Sequence, residues 1–377
     1  MTVYLDCNAT TPTEPEVLEV VVHYLREEYG NAGSRTHEFG VRAKQAVERS
    51  REAVAAVVSA DPQEVIFTSG ATESNNLALL GLAAEGRSLG RMHLISTTIE
   101  HKAVLEPLEQ LAKTGFELTL IPPSSGGYVD AKDVAAAVRR DTLLVSVMHV
   151  NNETGVIQPI SESAAALSQS DCFFHVDAAQ SFGKEPEGLR NPRIDLISIS
   201  GHKIYAPKGV GALITRRRGG KRLPLTPLLF GGGQERGLRA GTQPVHLIAG
   251  LGEAARIALR DHKPRRAACE RVRSDLMRSL SSLPHHINGD AQRTLPNTLN
   301  ISITGVNSEA AMVALKGVAA ISNGSACTSS SYLPSHVLTA MQLPRERVDG
   351  ALRLSWSHLT PPVPWERIWE EVGRLQS

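Results

Sequence analysis

The stretch of sequence that decides the fold runs from His175 to Lys208 and reads HVDAAQSFGKEPEGLRNPRIDLISISGHKIYAPK. Two short apolar runs, 172–176 and 195–199, begin in or just before it, and each is followed by polar residues. Apolar runs of this length, bounded by turn formers, predict buried strands of an α/β sheet. Ligands of such sheets bind just beyond the carboxyl ends of the strands. The polar residues at these two ends are Asp177, Gln180, Ser200, His202 and Lys203.

Asp177 and Lys203 together indicate a particular chemistry. A lysine at a strand end can form a Schiff base with an aldehyde, and a nearby aspartate can hold a proton on a pyridine nitrogen. These are the main contributions that a protein makes to pyridoxal phosphate chemistry. The alternative is that Asp177 caps a turn and Lys203 is a surface lysine. These two residues alone leave both interpretations open.

A second candidate site follows the strand predicted at 65–67. The chain turns at Ser69 and Gly70 and enters a helix whose first turn contains Ala71 and Thr72. Free N–H groups at a helix start form an anion site suited to phosphate, and the Thr72 hydroxyl adds a donor. No GxxxxGK[ST] or GxGxxG motif is present, so neither a P-loop nor a dinucleotide fold is indicated. A capped helix without a ligand is the alternative.

Further polar residues follow other predicted strands or lie in glycine-containing loops. His101 and Asn152 each come just after a predicted strand, and Asn31 and Thr242 lie in polar loops. The His101 ring could stack on a planar cofactor or cap a helix, and each loop is either part of a binding site or a surface turn. Strands alternate with helices through this part of the chain, which predicts an α/β fold with a mostly parallel sheet covered on both faces.

Composition limits the classes of partner. The chain has 40 Lys and Arg against 39 Asp and Glu, a formal net charge of +1. This balance gives no reason to expect direct nucleic-acid binding. No apolar run approaches the ~20 residues needed to cross a bilayer, and the N-terminus lacks the pattern of a signal peptide. We therefore expect a soluble, cytoplasmic protein that does not bind a membrane.

The four cysteines are far apart and form no CxxC pair, so neither a metal site nor a disulfide framework is expected. Cys327, within SNGSACTSSS, is surrounded by small and polar residues, as is typical of an exposed loop thiol. Cys7 and Cys172 are predicted to be structural, and Cys269 is predicted to lie on a helix surface. Only Cys327 is a candidate for chemistry.

The length of 377 residues predicts two domains, because one core of ordinary size rarely extends so far. A long helical pattern is interrupted near Pro264. We therefore predict a large domain at 11–262 and a smaller α+β domain made of 1–10 and 263–377. Arg353, in a strand-like run of the small domain, is either a bidentate clamp for a substrate carboxylate or one half of an internal salt bridge.

Seven motifs extend the argument beyond single residues. In chain order they are SGATESNN, EHKAVL, MHVNNETG, HVDAAQSFGK, SGHKIYAPKGVGAL, GGGQERGLRAGT and NGSACTSSS. In this order and at these separations the chain resembles the NifS/IscS-like cysteine desulfurases of the fold-type I pyridoxal phosphate enzymes. The resemblance covers nearly the whole chain. It implies a homodimer that converts L-cysteine to L-alanine.

The resemblance also implies a role for each matching residue. Lys203 would bind the cofactor covalently, Asp177 would pair with its ring nitrogen, and His101 would stack on its ring. The other cofactor contacts would be Ala71, Thr72, Asn152, Gln180, Ser200 and His202, with Thr242 reaching in from the second subunit. The substrate would be held by Asn31, Asn152 and Arg353. Cys327, on a mobile loop at about 321–333, would accept the sulfur as a persulfide, and His101 is our hypothesis for the base that activates its thiol.

The sequence departs from the family pattern in three places, and the last two concern the identity of the sulfur acceptor and not the chemistry. Ala32 stands where the family usually has proline, His358 replaces a second arginine, and the sequence ends soon after Trp369. Two acceptor classes fit, a protein of iron-sulfur assembly and a partner in bacterial DNA phosphorothioation. Alternatives to a desulfurase are another fold-type I enzyme, such as an aminotransferase or selenocysteine lyase, and a catalytically idle sulfur-relay or scaffold protein.

Overall fold

Alternating strands and helices make up the chain in a computed structural model, which describes residues 2–324 and 334–376. The strands are β1 (Val3–Tyr4), β2 (Val65–Thr68), β3 (His93–Thr97), β4 (Glu117–Ile121), β5 (Thr142–Met148), β6 (Phe173–Asp177), β7 (Leu196–Ser200), β8 (Gly211–Thr215), β9 (His285–Ile287), β10 (Thr298–Ile303), β11 (Ala319–Ala320) and β12 (Ala351–Ser355).

The α-helices separate these strands in most places. They are α1 (Pro15–Arg26), α2 (Glu38–Val57), α3 (Ala71–Gly81), α4 (Ala83–Leu89), α5 (Lys102–Lys113), α6 (Ala131–Ala136), α7 (Ile160–Ala166), α8 (Val245–Arg260), α9 (His262–Ser279), α10 (Ser308–Ala314), α11 (His336–Ala340), α12 (Arg345–Asp349) and α13 (Trp365–Gly373). Within the described ranges, no helix is both long enough and apolar enough to span a membrane.

The central sheet has the strand order β2-β8-β7-β6-β5-β3-β4. The pairs from β7 to β4 are parallel, and β8 runs antiparallel to both of its neighbours. Every residue of β3, β5, β6 and β7 is buried, as expected for strands covered on both faces. The predicted α/β fold with a mostly parallel sheet is confirmed. The parallel direction brings the carboxyl ends of these strands to one edge.

Among the described residues, different hydrophobic clusters pack on different sheets. Two clusters cover the seven-stranded sheet, one containing Phe174 and the other containing Leu94. A third cluster packs on the antiparallel sheet β12-β10-β9, and it contains Leu5 from the N-terminus together with Trp356. The N-terminal strand β1 also pairs with β11. The cluster on the antiparallel sheet agrees with a small domain of 1–10 plus 263–377, but a further cluster joins Ile99 and Met148 to Leu338 across the predicted boundary, and the division stays a prediction.

The long helical pattern of the sequence forms two helices that meet at Asp261. Pro264 lies in the first turn of α9, where its missing N–H costs no helical hydrogen bond. The prediction for Cys269 was wrong. Its side chain is only 6% exposed, and its carbonyl accepts a hydrogen bond from the Trp356 indole at 3.0 Å. Packing against the small-domain core buries this face of α9 although the helix is polar overall.

The glycine-rich loop between β8 and α8 is fixed by a buried ion pair. Glu235, in this loop, accepts hydrogen bonds from both terminal nitrogens of Arg51 at 2.8 and 3.0 Å. It also accepts from the Phe67 N–H at 2.9 Å. Both charged side chains are nearly inaccessible, at 4% and 2% exposed. The loop is therefore anchored to α2 and β2 instead of being held by turn geometry alone.

We expect the Arg51→Met substitution to lower the free energy of unfolding by about 3 to 5 kcal/mol, because it leaves the Glu235 carboxylate buried without its counter-charge. Urea unfolding followed by circular dichroism measures this change. Arg278→Ala is the control, since its pair with Asp275 is exposed and should contribute less than about 1 kcal/mol. Equal effects of the two substitutions would contradict the role given to the buried pair.

Candidate active site

The carboxyl edge of the parallel strands opens into a cavity of about 430 Å³. Most of the residues singled out from the sequence line it. They are Ala71, Thr72, His101, Asn152, Asp177, Gln180, Ser200, His202, Lys203 and Arg353. They come from six separate parts of the chain, and the sheet edge brings them together.

Asp177 ends β6 and is only 5% exposed. Its Oδ1 accepts a hydrogen bond from the Ala179 N–H at 2.9 Å, and its Oδ2 accepts one from the Asn75 side-chain amide at 2.8 Å. Each oxygen of the buried carboxyl group therefore accepts a hydrogen bond from an N–H donor, which fixes its orientation. Asp177 is thereby prepared to face a positively charged partner in the cavity.

Asn75 was missed by sequence reasoning as a residue of the site. It is fully buried on α3, and its Oδ1 has no hydrogen-bond partner among the described residues. The signal that could have identified it was an amide side chain in the middle of a helix that packs on the sheet. Its partner Asp177 lies 102 residues away in sequence, so the contact itself could not be read from local pattern.

The start of α3 forms the predicted anion site. Gly70 precedes the helix as its N-cap, and none of the side chains that the structure describes caps this end. Ala71, Thr72 and Ser200 line the cavity at this point, so N–H groups and hydroxyls are available to the same anion. An uncapped helix start beside two hydroxyl side chains suits a phosphate group.

Lys203 follows β7 in a short 3-10 turn, Gly201–Lys203. Its Nζ donates hydrogen bonds to the backbone carbonyls of Asn8 and Ala9, the latter at 2.8 Å. Thr11 also bonds the His202 carbonyl, through its hydroxyl at 2.8 Å. The N-terminal segment therefore lies against the lysine turn and orients the amine.

His101 is the N-cap of α5, and its Nδ1 accepts a hydrogen bond from the Ala103 N–H at 3.1 Å. Burial lowers its pKa, so the neutral ring is favoured. With Nδ1 occupied as an acceptor, the proton of the neutral ring belongs on Nε2. A protonated Nε2 cannot act as a base, so this cap bond argues against His101 as the group that deprotonates the Cys327 thiol. Our hypothesis that His101 activates this thiol stays a prediction.

Arg353 lies on β12, and its contacts are compatible with both interpretations left open by the sequence, the internal salt bridge and the carboxylate clamp. Its Nη2 pairs with Asp6 Oδ1 at 2.6 Å, and its Nη1 donates to the Asn152 carbonyl at 3.0 Å. The side chain is only 5% exposed and lines the cavity, and its buried Nε has no hydrogen-bond partner in the described ranges. The internal salt bridge is therefore present, and a donor remains for a ligand.

Two site residues named from the sequence, Asn31 and Thr242, do not line this cavity. Asn31 is exposed, and its Oδ1 accepts from the Gly33 N–H at 2.8 Å, which makes a local turn. Thr242 is also exposed and does not line the cavity of its own chain. Cys327 lies outside the described residues. His358, one of the departures, pairs with Glu14 at 2.9 Å instead of facing the cavity.

Asn8 is a further residue that the sequence did not reveal. It is 3% exposed, and its carbonyl accepts from the Gln180 amide at 2.9 Å as well as from Lys203. Its own side chain donates to the Asn152 carbonyl at 3.1 Å, and its backbone N–H donates to Ser355 Oγ at 2.9 Å. Asn8 thus connects the cofactor side of the cavity to the small-domain sheet.

The donor set fits pyridoxal phosphate. Lys203 can hold its aldehyde carbon, the ionised Asp177 suits a protonated ring nitrogen, and the uncapped start of α3 suits its phosphate. The Gln180 Oε1 atom is buried without a partner in the described part of the chain, so a polar acceptor also remains for a ligand group. No cluster of three or more potential metal ligands occurs among the described residues.

Glu100 lies beside His101 at the end of β3 and is completely buried. Its Oε1 accepts hydrogen bonds from Thr97 Oγ1 at 2.7 Å and from the Met148 N–H at 2.9 Å. Burial raises the pKa of its carboxyl group from an ordinary value of 4.5 to about 8, and the negative charge of Asp177 adds to this effect. The Glu100 side chain is therefore mostly protonated at neutral pH.

Comparison with known proteins agrees with this site. Residues 3–360 match the family described as Aminotransferase class-V. The chain is 44% identical over 381 residues to cysteine desulfurase IscS of Klebsiella pneumoniae, which covers 99% of this chain and 93% of that protein. It is 46% identical over 361 residues to the Homo sapiens cysteine desulfurase, covering 95% of this chain and 78% of the relative.

Two solved structures are similar over almost the full chain. The crystal structure of DndA from Streptomyces lividans is 53% identical in sequence, with a TM-score of 0.83, and the match covers 93% of this chain and 98% of that one. A NifS-like protein is 37% identical with a TM-score of 0.89, covering 100% of this chain and 98% of the other. Sequence and structure thus give the same family.

The raised pKa of Glu100 makes a prediction about stability. Between pH 4.5 and about 8 the folded protein keeps a proton on Glu100 that the unfolded chain releases, so rising pH favours unfolding across this window. We expect the unfolding free energy of the wild type, relative to Glu100→Gln, to fall across this range by at most about 1.4 kcal/mol per pH unit. Urea unfolding at several pH values measures the difference. A difference that is flat with pH, or that rises, would contradict the assignment.

Proposed function

We propose that this chain, which belongs to the aminotransferase class-V family and within it to the cysteine desulfurases, uses the cavity at the sheet edge to move sulfur from L-cysteine to Cys327. The observation that carries the assignment of residues is the convergence of Lys203, Asp177 and the uncapped start of α3 on one cavity. Any one of these groups is common in proteins. An amine, a stabilised carboxylate and a phosphate site in one cavity together match the three functional ends of pyridoxal phosphate.

When bound, pyridoxal phosphate supplies an electron sink for negative charge at the α-carbon of the substrate. Lys203 would hold the cofactor through Nζ and, once released by the incoming substrate amine, would move the α-proton. Asp177 would hold a proton on the ring nitrogen, with its carboxylate oriented by hydrogen bonds from Asn75 and Ala179. His101 would lie against the ring as a neutral side chain.

The phosphate and the remaining polar edge of the cofactor would be held by the other lining residues. Ala71 and Thr72 offer the start of α3, and Ser200 and His202 approach from the end of β7. Burial and the nearby Lys203 lower the pKa of His202 to about 4, so its ring is neutral. A neutral ring has one N–H group and can donate one hydrogen bond to the phosphate. Gln180 and Asn152 would lie at the polar edge of the ring.

Arg353 would bind the carboxylate of cysteine, with Asn152 beside it and Asn31 as a further contact carried over from the family. The guanidinium is buried and held by Asp6 and the Asn152 carbonyl, which orients it before substrate arrives. A buried, pre-oriented arginine is well suited to a planar carboxylate. The structure leaves Asn31 exposed in a turn, so its part in this contact rests on the resemblance alone.

The sulfur-transfer step is balanced without an external oxidant. The Cys327 thiolate attacks the sulfur of the substrate, the carbon–sulfur bond breaks, and a sulfur–sulfur bond forms. L-cysteine and the Cys327 thiol are thereby converted to L-alanine and a Cys327 persulfide. The persulfide would then pass to an acceptor protein, either of iron-sulfur assembly or of DNA phosphorothioation. The formal charge of +1 gives no reason for direct contact with DNA in either case.

We also propose a homodimer in which Thr242 contributes to the phosphate site of the other subunit. Thr242 is exposed and stands outside the cavity of its own chain. Just before the same glycine-rich loop, Phe230 is 84% exposed and Leu229 is 48% exposed. Adjacent exposed apolar side chains of this size are typical of a protein–protein contact. The buried Glu235 anchor would hold the loop in place for such a contact.

Replacement of Cys327 by serine tests the proposed chemistry. We expect Cys327→Ser to keep the absorbance of the bound cofactor and the spectral change on adding cysteine, and to lose at least about a hundredfold in alanine formation. Lys203→Ala should lose the cofactor absorbance. Cys269→Ala is the matched control, because this thiol is buried outside the cavity, and it should retain alanine formation. Unchanged alanine formation by Cys327→Ser would remove the desulfurase mechanism.

Arg353→Lys tests the substrate clamp. We expect the KM for cysteine to rise between about tenfold and a hundredfold, because hydrogen bonds to a charged group contribute about 1.5 to 3 kcal/mol. Steady-state kinetics with cysteine measures this change. Asp6→Asn is the control, since it weakens the internal ion pair but keeps the guanidinium, and should change KM much less. An unaltered KM in Arg353→Lys would show that Arg353 does not bind the carboxylate.

A further inference from the structure

Glu153 is a buried carboxylate that the mechanism above does not use. It follows β5 in the sequence VNNETG and is 2% exposed. Its backbone N–H donates to the Asn151 side chain at 2.9 Å, which fixes the turn, and the neighbouring Asn152 lines the active-site cavity. Burial raises the pKa of its carboxyl group, while Ser335, His336 and Arg353 favour the ionised form. A buried carboxyl group is stable only when hydrogen-bonding or charged partners replace water around it, so the partners of Glu153 indicate its role.

The first partner is Ser335, whose hydroxyl donates a hydrogen bond to Glu153 Oε2. The same Ser335 oxygen accepts from the Leu338 N–H at 3.0 Å and caps the N-terminus of α11. His336 approaches the other oxygen of Glu153 at 3.9 Å, and its Nε2 lies 3.0 Å from the Glu100 carbonyl. Ser335 and the start of α11 are therefore bound to Glu153.

The second partner is Gly324, where the first described part of the chain ends. Gly324 has φ of +86°, and a Cβ atom there would lie 3.2 Å from Glu153 Oε2 and 3.4 Å from its Cβ. The backbone of Gly324 thus packs directly on the Glu153 side chain. Its N–H donates to Ser322 Oγ at 3.0 Å, and Ser322 pairs through its backbone with Arg353 at 2.6 and 3.2 Å.

Glu153 accordingly contacts the residues on both sides of the stretch that carries Cys327, and one of these residues is tied to the proposed carboxylate clamp. We propose that Glu153 is a positioning residue for sulfur transfer, which holds Gly324 and Ser335 at a fixed place relative to Arg353. This inference rests on the proposed role of Cys327. Glu153 does not touch the reacting atoms and acts only by fixing the two attachment points of the reactive cysteine.

A carboxylate is suited to this task. Its two oxygens accept from different directions, so Oε2 can serve Ser335 while Oε1 faces His336. Burial raises the pKa of the Glu153 carboxyl group, and the hydrogen bond from Ser335 and the nearby His336 and Arg353 side chains oppose this increase. An alanine at this position removes the acceptor from Ser335 and opens space beside Gly324. A glutamine keeps one acceptor oxygen and nearly the same volume.

The test compares Glu153→Ala, Glu153→Gln and Ser335→Ala in the cofactor-loaded enzyme. We expect alanine formation from cysteine to fall between about tenfold and a hundredfold in Glu153→Ala, because misplacing a reacting group by about 1 Å costs this much. Ser335→Ala should lose activity in the same direction, and Glu153→Gln should recover most of it. Cysteine binding, titrated by absorbance in a Cys327→Ser background, should change by less than about twofold in each case.

Asn307→Ala is the matched control. Asn307 caps α10 by accepting hydrogen bonds from the Glu309 and Ala310 N–H groups, just as Ser335 caps α11. In the described part of the chain, Asn307 makes no hydrogen bond to Glu153. This variant loses a helix cap without touching the cysteine attachment points. Its alanine formation should stay near that of the wild type. A loss of activity in Glu153→Ala no greater than in Asn307→Ala would overturn the proposal.

Amide hydrogen exchange provides a readout that is independent of activity. In the full-length protein, Glu153→Ala should speed exchange at the Gly324 and Leu338 amides, whose hydrogen bonds depend on this cluster, and leave α3 unchanged. The proposal would also be overturned if Glu153→Ala left exchange unchanged at both amides. It would equally be overturned if this substitution weakened cysteine binding as much as it lowered turnover. Active Cys327→Ser would instead remove the proposed function, and the exchange result would still decide whether Glu153 holds these attachment points.

Discussion

The buried charge of Asp177 is the constraint on which the site depends. A carboxylate at the end of a fully buried parallel strand is stable only when N–H donors replace the water it has lost. The turn after β6 supplies one donor from Ala179, and α3 supplies the other from Asn75. Helix α3 also supplies the uncapped N-terminus at Ala71. These two features are one helical turn apart, about 6 Å along the axis. One rigid helix therefore sets the spacing between the phosphate site and the carboxylate.

The cavity lies where the N-terminal segment and the small-domain sheet meet the edge of the large sheet. Asn8 holds this junction together, because its backbone and side chain form hydrogen bonds with groups on both sides of the cavity. The cofactor groups come from the seven-stranded sheet, and Arg353 comes from the antiparallel sheet. Under the proposed assignments, substrate and cofactor would be positioned by residues from different hydrophobic clusters. Movement between these clusters would change the distance from the clamp to Lys203 without disturbing the phosphate site.

Much of this arrangement could be predicted from the sequence, because it follows from local pattern. The buried strands β6 and β7 end within one residue of the predicted positions, so Asp177 and Lys203 had to lie at one edge of a parallel sheet. Contacts between distant segments could not be predicted in this way. Asp6 meets Arg353 across 347 residues, and Gln180 meets Asn8 across 172. Cys269 was misplaced for a related reason, since the polarity of α9 does not show which face Trp356 covers.

The pairing of Arg353 with Asp6 has a physical consequence for substrate binding. A buried guanidinium without a counter-charge would be costly, so Asp6 stabilises it when no substrate is present. Asp6 and the Asn152 carbonyl each use one of the five N–H donors of Arg353, and the buried Nε stays without a partner in the described residues. A substrate carboxylate can therefore be bound without displacing Asp6. If Arg353 binds the substrate as proposed, the two carboxylates would repel each other across one cation, which would limit the affinity for cysteine and favour the release of alanine.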